Sequence, residues 1–193
     1  MALQQSGDKL MTYTPQAHGV GLFNLWRLAG WATIAGLIAL PAIAMQFTTE
    51  VNWGAEDFAF AVVMLGGVGL AFELAVRASG GWAYRGGAAV ALGSGLLLLW
   101  GNAAVGIVGN EENDLNMWFN AVPVIALIGA TVARLRANQM AVAMSITTLA
   151  QIAAGVIVQL AGHSTWIFTI VWAAGWTISA WLFCRAAQDR RSL

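Results

Sequence analysis

Charge is what this chain has least of: Lys, Arg, Asp and Glu make up only 9% of its 193 residues, where a soluble domain carries about 25%. A globule in water needs a polar shell on every side, and this composition cannot supply one. A helical bundle in hydrocarbon needs polarity only at its two ends. With 59% hydrophobic residues, lipid is the expected solvent. Nine basic residues balance nine acidic ones, so whole-chain charge gives no reason to expect a nucleic acid partner.

Histidine and cysteine are nearly absent. His18 and His163 are the two imidazoles, one in a polar N-terminal stretch and the other between apolar runs, so no intramembrane pair can clamp a haem and no HExxH zinc motif exists. Cys184 stands alone, which excludes an internal disulfide or a cysteine-based zinc site. A Walker loop, a Rossmann fingerprint and a G-x-S-x-G elbow are also missing. No cofactor is expected.

Apolar runs are what the chain has instead. Six approach the ~20 residues that cross a bilayer: Leu22–Met45, Asp57–Val76, Gly86–Val108, Trp118–Ala133, Met140–Ala161 and Trp166–Cys184. Backbone polar groups in hydrocarbon must be paired within their own segment, so the runs predict helices. The absence of period-2 alternation argues against a barrel. The fold class expected is all-α, a polytopic six-helix bundle forming one domain over residues 21–193 behind a flexible polar tail, 1–20.

If the spans alternate, every basic residue falls on one side: Lys9, Arg27, Arg77, Arg85, Arg134, Arg136, Arg185, Arg190 and Arg191. The other three loops, Gln46–Glu56, Gly109–Met117 and Gly162–Thr165, hold no Lys or Arg. The positive-inside rule then predicts that both termini are cytoplasmic. Trp26, Trp53, Trp82, Trp118 and Trp166 sit near the span borders, where an indole favours the headgroup layer. Trp172 and Trp176 lie deeper, four apart, on one face of the last helix. Ala42-Ile43-Ala44 resembles a signal-peptide cleavage site, but the polar preamble is long for a leader and an uncleaved first span is expected. Two halves of three spans would have opposite orientations, as in inverted-repeat transporters, yet their sequences do not match.

Small residues form a stripe at Ala83, Gly87, Ala91 and Gly95, which permits close approach of a neighbouring helix or forms a substrate groove. Gly66, Gly67 and Gly69 in the second span make that span the expected neighbour. Pro41 and Pro123 are expected to kink the first and fourth helices.

Polar residues inside the spans are few, and each carries a hypothesis. Glu73 precedes Arg77 by four residues, the spacing of a same-face ion pair, with a proton or cation relay as the alternative. Asn102, Gln151 and Gln159 are expected to tie helices together through their amides. Outside, Glu50, Glu56 and Asp57 in or beside the first loop, with Glu111, Glu112 and Asp114 in the second, form a negative patch. Hard cations bind through several oxygens, and Asn52, Asn110, Asn113 and Asn116 could add neutral ones. A solvated face, with Asp57 at a helix start, explains the same residues.

Glu50-Val51-Asn52-Trp53, then Asp57-Phe58, and the stretch from Trp100-Gly101-Asn102 through Val105-Gly106-Ile107-Val108-Gly109-Asn110-Glu111 form two distinctive motifs. With Leu70-Ala71-Phe72-Glu73-Leu74 and Ala83-Tyr84-Arg85, they resemble a group of small, uncharacterised multi-pass inner-membrane proteins of bacteria. That resemblance implies a bacterial cytoplasmic membrane and carries no activity with it.

The leading functional expectation is therefore a non-enzymatic membrane protein whose two acidic loops meet and hold a cation, as a channel or transporter mouth or a docking surface. Carboxyl oxygens from the two loops would then lie within about 6 Å of one another. The alternative is a structural or accessory subunit that forms a homo-oligomer or joins a membrane partner. An intramembrane enzyme acting on lipid lacks a defensible nucleophile and base.

Overall fold

A computed structural model describes residues 22–79 and 81–190. The tail 1–20, with Lys9 and His18, lies outside the described residues, as do Arg191 and the side chain of Trp26. The described residues fold into helices α1 (Leu22–Ala44), α2 (Ala55–Ala78), α3 (Trp82–Val105), α4 (Asn116–Val132), α5 (Ala137–Leu160) and α6 (Trp166–Asp189). Five are long and apolar enough to cross a membrane, and α4, at 17 residues, is a shorter apolar helix.

The helix limits depart from the expected spans for local reasons. α3 starts at Trp82 and stops at Val105, because Gly106 takes φ +73° and its missing side chain leaves room for the backbone of Asn110; an L-residue there is strained as well as crowded. α6 runs past Cys184 to Asp189, since nothing in Arg185-Ala186-Ala187-Gln188 breaks a helix. At the start of α2, Asp57 reaches back to accept the Gly54 N–H at 2.9 Å, the reciprocal half of a capping box.

Neighbouring helices run antiparallel. Gly155 late in α5 lies against Thr169 early in α6, Asn102 near the end of α3 meets Asn116 at the start of α4, and Arg27 early in α1 meets Glu73 late in α2. Arg27, Arg77, Arg85, Arg134, Arg136, Arg185 and Arg190 therefore gather at one end, and the two acidic loops lie at the other. The core belongs to α3–α6, where Tyr84, Leu98, Phe119, Val122, Met144, Val158, Trp176 and Phe183 are buried. α2 leans on α3, and α1 packs mainly on α2. Large apolar side chains such as Leu40, Val63, Leu127, Leu160 and Ile167 stand exposed around the bundle, the surface hydrocarbon would cover.

The small-residue stripe faces a different helix from the one expected. A Cβ on Gly87 would lie 3.2 Å from the Phe183 ring, and one on Gly95 would lie 3.6 Å from the Trp176 ring, so the stripe receives α6. This closeness lets α6 bond to the α3 backbone: Ser179 Oγ donates to Gly87 O at 2.8 Å, and Trp172 Nε1 donates to Ser94 O at 3.0 Å. Gly66 and Gly67 have open space where a Cβ would stand, while Gly69 receives Ile34 and Trp31 of α1.

Candidate functional site: a lateral groove between two helices

α2 and α4 both flank α3, yet α2 does not close against α4. Between them runs a groove of about 610 Å³, within the ~300–1,000 Å³ range of small-molecule sites. Its walls are Val63, Gly67, Ala71 and Ala75 of α2 and Pro123, Leu127 and Ala130 of α4. Ala88, Ala91, Gly95 and Leu99 of α3 form its floor, with Met140, Met144 and Trp176 behind. The small side chains that let α6 approach α3 thus also keep the groove open. Among the described residues the lining includes no His, Cys, Ser, Asp or Glu.

Charge and hydroxyls gather at the basic end of the groove, where Tyr84, Thr131 and Arg134 line it, while farther in Trp176 lines it with a buried indole Nε1 that has no partner among the described residues. Tyr84 Oη donates to Leu135 O at 2.7 Å and Thr131 Oγ1 donates to Ile128 O at 2.7 Å, so both hydroxyl protons are spent. Arg134 is exposed, and its side chain has no ion-pair partner among the described residues. Arg134 and Leu135 adopt φ of +47° and +57°. The left-handed region costs an L-residue roughly 1–2 kcal/mol, and the Tyr84 bond to Leu135 helps to hold the turn.

At the same end, Glu73 joins α1 to α2. It pairs with Arg77 as the spacing predicts, through Arg77 Nε at 2.9 Å. It also pairs with Arg27, whose Nε donates to Oε2 at 3.0 Å. Arg27 is 46 residues away, so sequence spacing gave no signal for it. With two cations on one carboxylate, Glu73 acts as a clasp between helices.

The remaining predicted residues divide sharply. Asn102 does tie helices: its Nδ2 donates to Asn116 O at 3.0 Å and Asn120 Oδ1 at 2.7 Å, while its Oδ1 accepts the Ile107 N–H at 3.1 Å. Asn116, proposed from sequence as a cation ligand, is instead committed to the chain. Its Oδ1 accepts the N–H groups of Ile107 and Val108 at 3.0 and 2.9 Å, and its Nδ2 donates to Asn110 O at 2.6 Å. Asn113 Oδ1 accepts the Leu115 N–H at 3.0 Å. The Asn113 and Asn116 side chains are thus the internal scaffold of the second acidic loop. Gln151 is fully buried, yet neither amide atom has a hydrogen-bond partner among the described residues, and Gln159 Oε1 is likewise unpartnered among them. The helix-tying role expected of these two amides is not made.

The two acidic loops share one end of the bundle, and the motifs that suggested a resemblance meet there: Trp53 packs 6.3 Å from Trp100 and 5.4 Å from Phe58, centroid to centroid. Glu50, Glu56, Asp57, Glu111, Glu112 and Asp114 are all exposed. Among the described residues no three His, Cys, Asp or Glu side chains converge as a metal ion would require. No protein-family model, curated protein or solved structure matches the chain.

Proposed function

We propose that the chain is a six-span protein of a bacterial cytoplasmic membrane, with both termini cytoplasmic, and that it binds an acyl chain of a bilayer lipid in the groove between α2 and α4. The groove carries the reading, being apolar along its length and set between helices whose outer faces are themselves apolar. α4 is included among the spans because 17 residues rise about 26 Å, close to the ~30 Å hydrocarbon core. The one-sided arginines give the orientation.

An acyl chain suits a groove whose walls and floor, from Val63 to Ala75 and from Ala88 to Leu99, are small and aliphatic side chains. The lining lacks the nucleophiles and carboxylates that lipid chemistry would need, so the role is binding and not turnover. The acidic loops are read as the solvated outer face, since their six carboxylates are exposed and the Asn113 and Asn116 amides of the second loop are engaged in bracing its backbone.

A phospholipid carrying a photoactivatable diazirine in its acyl chain tests this in native membranes. Cross-links mapped by mass spectrometry are expected on Met64, Gly67, Leu92 or Leu127. Labelling confined to outward faces such as Leu160 and Ile167 would reject the groove.

A further inference from the structure

The ends of the groove differ in polarity, and that asymmetry says which amphiphile it accepts. On α2 the lining runs from Val63 to Ala75, a rise of about 18 Å. On α3 it runs from Tyr84 to Leu99, about 22 Å, so the slot reaches past one leaflet, half of the ~30 Å core, without crossing the whole bilayer. The polar terminus of this slot is Arg134, beside Tyr84 and Thr131 whose hydroxyl protons are already used. A headgroup seated there meets one unspent donor set, a guanidinium whose planar fork matches two phosphate oxygens.

Resting on the acyl-chain reading, we propose that the occupant is an anionic phospholipid of the leaflet at the basic end, its phosphate on Arg134 and one acyl chain laid along the groove. Charge complementarity selects it: Arg134 and Arg136 stand together on the exposed turn after α4, and no carboxylate lies in the lining. A zwitterionic lipid would bring its own ammonium toward these cations and lose part of the attraction. The left-handed turn at Arg134 and Leu135 is where stored backbone strain would be expected at a ligand contact. It places the arginine at the groove mouth and leaves Leu135 in the lining.

Native mass spectrometry of the full chain, released from mixed micelles holding equal amounts of phosphatidylglycerol and phosphatidylcholine with identical acyl chains, reads both parts of the claim. The wild type is expected to retain phosphatidylglycerol about five- to tenfold more than phosphatidylcholine, the worth of one well-placed cation at a lipid surface. Arg134→Gln removes that preference, whereas Arg136→Gln, outside the lining, leaves most of it. Gly67→Trp, built where a Cβ meets nothing within 4 Å, fills the slot and lowers retention of both lipids. Size-exclusion profiles and melting temperatures matching wild type show that the variants are folded; Arg134→Lys, which keeps the charge, is scored in place of Arg134→Gln should the latter misfold, and is expected to keep part of the preference.

Equal retention of the two lipids by the wild type, or equal effects of Arg134→Gln and Arg136→Gln, overturns the headgroup assignment while leaving the groove. Unchanged retention in a folded Gly67→Trp overturns the groove itself.

Discussion

Asn116 is the residue on which the α3–α4 connection closes, because its amide, itself buried, serves two backbone donors and one carbonyl of the loop. Asn116→Leu keeps the size but leaves the Ile107 and Val108 N–H groups with fewer acceptors, and Val108 is only 2% exposed. The expected loss is about 2–4 kcal/mol, the desolvation cost of one or two stranded groups, read as a lowered melting temperature in detergent. Gln151 presents the opposite case. Its amide is buried without a partner among the described residues, so Gln151→Leu is expected to raise stability by about 1–2 kcal/mol. A lower melting temperature for Gln151→Leu would show that the amide does have a partner. The same chemical group thus stabilises at position 116 and costs at 151, and neither sign was evident from residue type.

Among the elements, α3 has two jobs on adjoining strips: one receives α6 and the other forms the groove floor. Gly87→Leu pushes into Phe183 and Leu182 and disturbs the Ser179 bond to Gly87 O, for an expected cost of about 2–3 kcal/mol. Gly66→Ala, where a Cβ meets nothing, is expected to be neutral or to stabilise by up to about 1 kcal/mol through helix propensity; chemical denaturation of the two variants checks the contrast. Helix number, order and approximate limits were legible because each helix is a nearly unbroken apolar run set off by polar or glycine-rich turns. The Glu73–Arg77 pair was legible because one helix fixes its spacing. The partner of the Ala83–Gly95 stripe was not, since a row of small residues says that something approaches without saying what. The groove was equally hidden, being a gap between α2 and α4, whose residues are far apart in the chain. The asparagines misled because a side-chain oxygen that suits a cation suits a backbone N–H equally well.

Considered as a whole molecule, the bundle separates its charges along its axis, with seven described arginines at one end and six carboxylates of the acidic loops at the other. In a Cys184→Ser background, a single cysteine replacing the exposed Glu112 is expected to react with a membrane-impermeant maleimide in intact cells. One replacing the exposed Arg136 should react only in inverted vesicles. Reaction of both from one side would remove the six-span reading. On the proposed orientation, the same axial polarity would put the groove's arginine in the leaflet where a positively charged loop is most at home.

The Glu73 clasp has a consequence for how the molecule can be taken apart. Because Arg27 and Arg77 meet on a carboxylate inside the same hairpin, α1 and α2 carry their own fastening and need little from the rest to stay together. A polypeptide severed between Gly80 and Gly81 should then reassemble when the fragments 1–80 and 81–193 are produced in one cell and co-purify through a tag on either. With Glu73→Gln, the first fragment should still insert but recover less of its partner, since α2 alone would dock on α3 with α1 adrift.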